Sequence, residues 1–223
     1  MKFIHYNLAS TLIDDKNNFC EWIIESPILF SKYVLEVHNQ TYGAEGNFVL
    51  SESDKEIDIS KNIEVILDPF AINLNDKKII NKLYAELSQK VYEEENFLYT
   101  QEILSDLQKY FITVESSSDY MLNADSEIDI TSVFKILNIK LEVYAESFFE
   151  KILQYIKIQA ELMKRKIIIF INLRSYLSSE QIEELRKTAA YNELALVLIE
   201  NTQKSCSLYP SHYIIIDKDG CEI

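Results

Sequence analysis

Two unbroken apolar runs, residues 167–171 (IIIFI) and 194–199 (LALVLI), flank a stretch whose apolar positions are spaced like a helix. Runs without polar alternation suit strands covered on both faces, as in a parallel sheet. Between them, Ser178 and Gln181 fit the capping pattern S-x-x-Q. Glu180, Glu183 and Glu184 stand at the positive end of that helix, with Arg186 and Lys187 at the negative end. Ile182, Leu185 and Ala189 share one face. Strand, helix and strand with short connections predict a βαβ unit at the centre of the main sheet.

Elsewhere the pattern alternates between strand and helix. Residues 2–13 alternate weakly and predict a first strand or hairpin arm. Residues 19–25 (FCEWIIE) predict a strand, and Ser26-Pro27 then opens a helix, Ser as cap and Pro at the first helical position. Phe30, Tyr33, Val34 and Val37 recur at helical spacing. Residues 48–50 and 57–59 flank an acidic turn and read as a hairpin, and residues 62–68 (NIEVILD) are a further buried strand. From about Ile72 the texture turns helical. Residues 77–94 carry the stripe Ile80, Leu83, Leu87 and Val91, and residues 100–114 carry Ile103, Leu107, Tyr110 and Phe111, expected to face inward. Residues 130–137 predict a short helix, and residues 146–164 a long one striped by Phe149, Ile152, Leu153, Ile156 and Leu162. Residues 212–216 (HYIII) predict the last strand. The pattern therefore predicts an α/β domain built from residues 1–72 and 162–223, interrupted by a helical segment, residues 73–161.

Composition narrows the class. The 223 residues are 48% hydrophobic with 14 Tyr and 11 Phe, enough for a substantial core. No apolar run approaches the length of a membrane span, and the first residues lack a signal-peptide core. Cys20, Cys206 and Cys221 are odd in number and far apart, which points to reduced thiols in a cytoplasmic protein. The net charge of −14 is the opposite of the usual nucleic-acid footprint, so any DNA-binding reading has to account for it.

Catalytic and nucleotide motifs are missing. A phosphate loop needs glycines so that backbone N–H groups can approach phosphate, yet Gly43, Gly46 and Gly220 open no strand-to-helix turn. The turn after residues 19–25 holds Pro27, which removes a donor. His5, His38 and His212 lie on different elements without a partner motif, no G-x-S-x-G occurs, and no Cys/His spacing suits zinc. A non-enzymatic protein is expected.

Two charged features remain. Glu115, Asp119, Asp125, Glu127 and Asp129 crowd one irregular stretch, and Glu142 follows the short helix. Hard cations take six to eight oxygens from such loops, and Ser116, Ser117, Ser118 and Asn123 add more, but the EF-hand spacing is absent. The stretch by itself fits a solvated acidic loop at least as well. Lys77 and Lys78, with Lys82, open a helix, where cations oppose the macrodipole by a few tenths of a kcal/mol each. That small cost points to a phosphate partner. Lys164, Arg165 and Lys166, and Arg186 and Lys187, end helices, where basic residues are ordinary.

A set of segments in collinear order then carries a resemblance: Phe30-Ser31-Lys32, residues 63–70, residues 74–83 (LNDKKIINKL), Phe149-Glu150-Lys151, residues 166–177 (KIIIFINLRSYL), Leu198-Ile199-Glu200 and residues 214–223 (IIIDKDGCEI). Through them the chain resembles the short form of the type II-A CRISPR-associated accessory protein needed to acquire new spacers. The resemblance implies a homotetrameric ring that binds calcium and double-stranded DNA ends without sequence specificity. Each subunit would have a P-loop-NTPase-like α/β head without a working nucleotide loop, and an inserted all-α leg. The implied calcium ligands are Glu115, Asp119, Asp125, Glu127 and Glu142. Ser118, Tyr120 and Ala124 stand where relatives are expected to carry acids, which leaves the number of ions open. The implied DNA contacts are Lys77, Lys78 and Lys82, with Lys135, Lys140 and Arg174 behind them. Implied partners are the CRISPR adaptation integrase proteins and the type II effector nuclease. Two other readings compete: a calcium-stabilised scaffold with incidental DNA contact, and an atypical NTPase.

Overall fold

The computed structural model of the chain describes residues 1–123, 125, 128–204 and 212–223. Its elements run β1 (Lys2–His5), β2 (Phe19–Ile24), α1 (Pro27–Gln40), β3 (Phe48–Glu52), β4 (Lys55–Glu56), α2 (Ile59–Asn62) and β5 (Ile63–Ile66). There follow α3 (Lys77–Lys90), α4 (Glu94–Ser116), α5 (Ile130–Ile136), α6 (Phe148–Glu161), β6 (Ile167–Ile171), α7 (Ser179–Tyr191), β7 (Ala195–Glu200) and β8 (His212–Ile216). The fold is mixed α/β. It divides into two compact units: Met1–Leu74 with Tyr144–Ile223, and Asn75–Val143.

In the first unit a five-stranded sheet has the order β5-β6-β7-β2-β8. Every neighbouring pair in it is parallel. All residues of β2, β6 and β7 are buried, the physical counterpart of their nearly unbroken apolar runs. β6 and β7 pair directly with α7 between them in the chain, so the expected βαβ unit forms. A second, antiparallel sheet has the order β1-β3-β4. Its β3–β4 turn puts Ser53 and Asp54 at φ 50° and 61°, the left-handed pair whose twist matches a two-residue hairpin. Both sheets share one core. Trp22 of β2 meets Tyr33 of α1 and Phe48 of β3, with ring centroids 5.0 and 6.0 Å apart.

Helix α6 starts with a capping box. Ser147 accepts from the Glu150 N–H at 3.2 Å, and the Glu150 carboxylate accepts from the Ser147 N–H at 3.2 Å. Ile152, Tyr155 and Ile156 are buried in the first unit. The sequence reading assigned this helix to the helical segment, residues 73–161; instead the second compact unit ends at Val143. An apolar helical stripe reads the same whichever core it covers, so the pattern could not assign it. Ser147→Ala is expected to cost about 1 kcal/mol. The check is a lower urea midpoint at unchanged slope, restored by Ser147→Asp.

The second unit is built by α3, α4 and α5. Asp76 caps α3, accepting from the Ile79 N–H at 2.9 Å, and Asp129 caps α5, accepting from the Thr131 N–H at 3.0 Å. Asn138, at φ 53°, ends α5. There the Ile139 N–H reaches Phe134 O at 3.2 Å and the Asn138 N–H reaches Lys135 O at 3.0 Å, a Schellman motif. Tyr84, Ile130 and Phe134 form the small core, with Ile80, Leu83, Leu87, Leu104 and Ile139 against it. The expected inward stripe of α4 is not the observed one: Ile103, Leu107 and Tyr110 are 50%, 41% and 69% exposed, and Leu104 turns to the core instead. One residue along a helix is a 100° rotation, and α4 carries apolar side chains on both candidate faces. Among the described residues no helix is long and apolar enough to cross a membrane.

Candidate nucleic-acid interface and acidic segment

The basic candidates of the second unit are exposed on a small, well-anchored scaffold. Lys77 and Lys78 occupy the first turn of α3 behind the Asp76 cap, and Lys82 follows one turn later. Lys78 and Lys82 are four residues apart and so share a face. Lys140 reaches the same end of α3 through a clasp between distant segments. The Asn75 amide donates to Leu141 O at 3.0 Å and accepts from the Leu141 N–H at 2.8 Å. The Tyr84 hydroxyl donates to Ile139 O at 3.0 Å. Lys140 thus lies between two residues fixed to α3 and its approach, and Asn75 is two positions ahead of Lys77. Lys135, in the last turn of α5, is also exposed.

Arg174 differs from the other candidates. It lies in the 3₁₀ turn Leu173–Ser175 after β6, with its side chain only 3% exposed and its Nε 3.5 Å from the Glu21 carboxylate. Its backbone N–H donates to Glu200 Oε1 at 2.9 Å. A guanidinium buried against the Glu21 carboxylate is not presented to phosphate, contrary to the DNA contact expected of Arg174. Glu21 and Glu200 were missed by the sequence reading. Their signal was a lone acid inside otherwise apolar strands, FCEWII and ALVLIE. Burial pushes the Glu200 carboxyl up to about 7, with the neighbouring Glu21 charge adding to it, and burial raises Glu21 as well.

The acidic candidates are less gathered. Glu115 is half-buried in the last turn of α4, and Asp119, Asp125 and Glu142 are exposed. Glu127 lies outside the described residues. Asp129 is engaged locally: it accepts from the Thr131 N–H and hydroxyl and from the Ser132 hydroxyl, bonds that hold its carboxyl below the usual range. Ser118 accepts from the Tyr120 N–H at 3.1 Å. Among the described residues no three Asp, Glu, His or Cys side chains group as metal ligands.

The turn from β2 to α1 is closed by helix geometry, the Phe30 N–H donating to Ser26 O at 2.8 Å, with Pro27 at the first helical position. The model of a family of CRISPR-associated proteins, Cas_Csn2, matches residues 40–220. The chain belongs to the Cas_Csn2 family. Membership in the Cas_Csn2 family implies a role in CRISPR adaptation, alongside its other components. A Cas_Csn2 protein is a CRISPR accessory protein, in keeping with the lack of any catalytic motif in the sequence. The crystal structure of Stu0660 of Streptococcus thermophilus is similar in fold, with a TM-score of 0.62 at 12% identity over 96% of this chain and 74% of that one. No curated protein matches this Cas_Csn2 chain by sequence.

Proposed function

We propose that this Cas_Csn2 chain serves spacer acquisition as a non-enzymatic, calcium-dependent homotetrameric ring on double-stranded DNA ends, without sequence specificity. In this reading the first unit is a P-loop-NTPase-like head and the second a leg. The integrase proteins and the effector nuclease of the system are its partners. The clasp between Asn75 and Leu141 carries the DNA reading: it gathers Lys140 with Lys77, Lys78 and Lys82 at one end of α3. Ammonium groups contact phosphate as point charges and read no bases, which suits a protein without sequence preference. The net charge of −14 makes this segregation necessary, since a ring multiplies it fourfold. Calcium would be held by Glu115, Asp119, Asp125, Glu127 and Glu142 together with further oxygen ligands, and would offset part of that charge. The parallel five-stranded sheet supports the head assignment.

The test is a gel shift in calcium with a linear duplex and a closed circle of the same sequence. The linear form alone is expected to bind. Lys77→Glu with Lys78→Glu is expected to weaken binding by at least about tenfold and to flatten the dependence on log salt by about 2. Undiminished binding by that variant defeats the DNA reading. Binding that survives full chelation, with the oligomer intact, removes calcium from the proposal.

The scaffold reading has one observation in its favour. Tyr99, Ile103 and Tyr110 leave α4 with exposed apolar surface that DNA would not cover.

A further inference from the structure

Three aromatic side chains from three separate junctions meet on the surface of the first unit. Phe70 lies in the 3₁₀ turn Pro69–Ala71 after β5, Phe148 opens α6, and Tyr176 follows the 3₁₀ turn after β6. Phe70 stacks on Phe148 with centroids 4.5 Å apart, and Tyr176 stands edge-on to them at 4.8 and 6.4 Å. Paired rings normally form to leave water, yet Phe70 is 57% and Tyr176 48% exposed, with Leu67 beside the cluster in sequence at 47%. β5 and β6 are adjacent parallel strands, so Phe70 and Tyr176 both follow carboxyl ends of the sheet, the edge where α/β folds take their ligands.

The surroundings decide what fits. Each junction carries an exposed carboxylate fixed by a local hydrogen bond. Asp68 accepts from the Phe70 N–H at 2.9 Å, Glu150 from the Glu146 N–H at 2.7 Å, and Glu180 from the Ser178 hydroxyl at 2.8 Å. Glu146 is exposed as well. The cations of these junctions are Lys151, half-buried, and Arg174, whose charge is turned inward against Glu21. Such a patch repels phosphate. It also repels its own image, because a two-fold contact of the patch with itself would oppose like carboxylates. A guanidinium, by contrast, stacks on ring faces and takes carboxylate in a two-pronged hydrogen bond. The rings already hold one another in place, so little side-chain freedom is lost when a ligand covers them.

We propose that Phe70, Phe148 and Tyr176, with their flanking carboxylates, dock an arginine-bearing basic segment of a partner protein. This site belongs to the first unit and does not depend on the DNA-end reading.

The test uses the full chain and a fluorescein-labelled twelve-residue peptide of alternating Arg and Ser, followed by fluorescence anisotropy. Phe70→Ser with Tyr176→Ser is expected to weaken peptide binding by at least about tenfold. The control, Tyr6→Ser with Tyr191→Ser, removes two rings that are 68% and 89% exposed and lie outside the patch; it is expected to change binding less than about twofold. Glu180→Lys, which keeps all three rings, is expected to weaken binding by several fold and covers the case in which the double variant does not fold. Equal binding by wild type and both patch variants, or equal loss in patch and control variants, means general attraction to an acidic protein and overturns the proposal. A smaller oligomer for the patch variant by sedimentation equilibrium assigns the patch to a second copy, and lost binding of linear duplex assigns it to DNA. Either result also overturns the proposal.

Discussion

Arg174→Met is expected to lower the unfolding free energy by about 3–5 kcal/mol at pH 8, and by much less at pH 5. Methionine keeps most of the buried volume and removes the charge. Glu21 and Glu200 are 3% and 2% exposed and would then be two interior carboxylates without the buried Arg174 charge beside Glu21. Their strands place them on one side of the sheet: Glu21 is in register with Leu198, and Glu200 with Ile23, so the pleat points both the same way. The hydrogen bond from the Arg174 backbone N–H to Glu200 survives the substitution, so the loss reports the guanidinium itself. Protonation explains the pH dependence. The Glu200 carboxyl rises from 4.5 to about 7 on folding, through burial first, then the Glu21 charge, against the opposing pull of Arg174 and Lys204. A carboxyl raised in this way contributes stability in full below its unfolded value and loses it as pH rises through about 7. Wild type should therefore lose stability between about pH 5 and pH 8 from this group, and the methionine variant should lose more. Glu200→Gln cannot titrate. Its stability relative to wild type is expected to rise by roughly 3 kcal/mol across the same window, measured by urea unfolding at a series of pH values. A wild-type and Glu200→Gln pair that run parallel with pH would show that Glu200 does not carry the proton.

Trp22→Ala is expected to cost about 3–5 kcal/mol, whereas Trp22→Phe should cost under about 1.5 kcal/mol. The indole is fully buried and joins the two sheets, touching Tyr33 on one side and Phe48 of β3 on the other. Alanine leaves a cavity where helix α1 and both sheets converge, and close-packed neighbours collapse into such a space only partly. Phenylalanine keeps an aromatic ring there. It also deletes the Trp22 Nε1–H, a buried donor with no hydrogen-bond partner among the described residues. Leaving such a donor unsatisfied costs about 1–3 kcal/mol, so its removal offsets part of the lost packing. Trp22 is the single tryptophan of the chain, so far-UV circular dichroism in urea is the suitable readout. A phenylalanine variant as unstable as alanine would show that the indole makes a polar contact after all.

Much of the first unit was legible because the strands at the centre of its parallel sheet, β2, β6 and β7, are buried on both faces. β6, β7 and β8 were marked by the runs IIIFI, LALVLI and HYIII, and α7 by its Ser178–Gln181 box, which forms as written. Of the candidate interface, the lysines at the start of α3 were legible as charges out of place at a helix N-terminus. Their company was not: Lys140 comes from a segment some sixty residues away and arrives there through Asn75, whose amide gives no signal in the pattern. Arg174 shows the opposite failure. In sequence it is an arginine after a strand, and only the parity of Glu21 and Glu200 on neighbouring strands makes it an interior cation.

By itself the sequence determined most of the strands and helices and the Ser178 cap of α7, because hydrophobic period and capping pattern are local properties. It also determined the family, through similarity spread along residues 40–220. Tertiary structure alone decided which core α6 covers, which stripe of α4 turns inward, which cation is buried, and that Phe70, Phe148 and Tyr176 share one surface patch. Each of those choices is made by a partner many residues distant. The free energy of burial depends on what an apolar or charged side chain meets, and one chain segment read alone does not contain that neighbour.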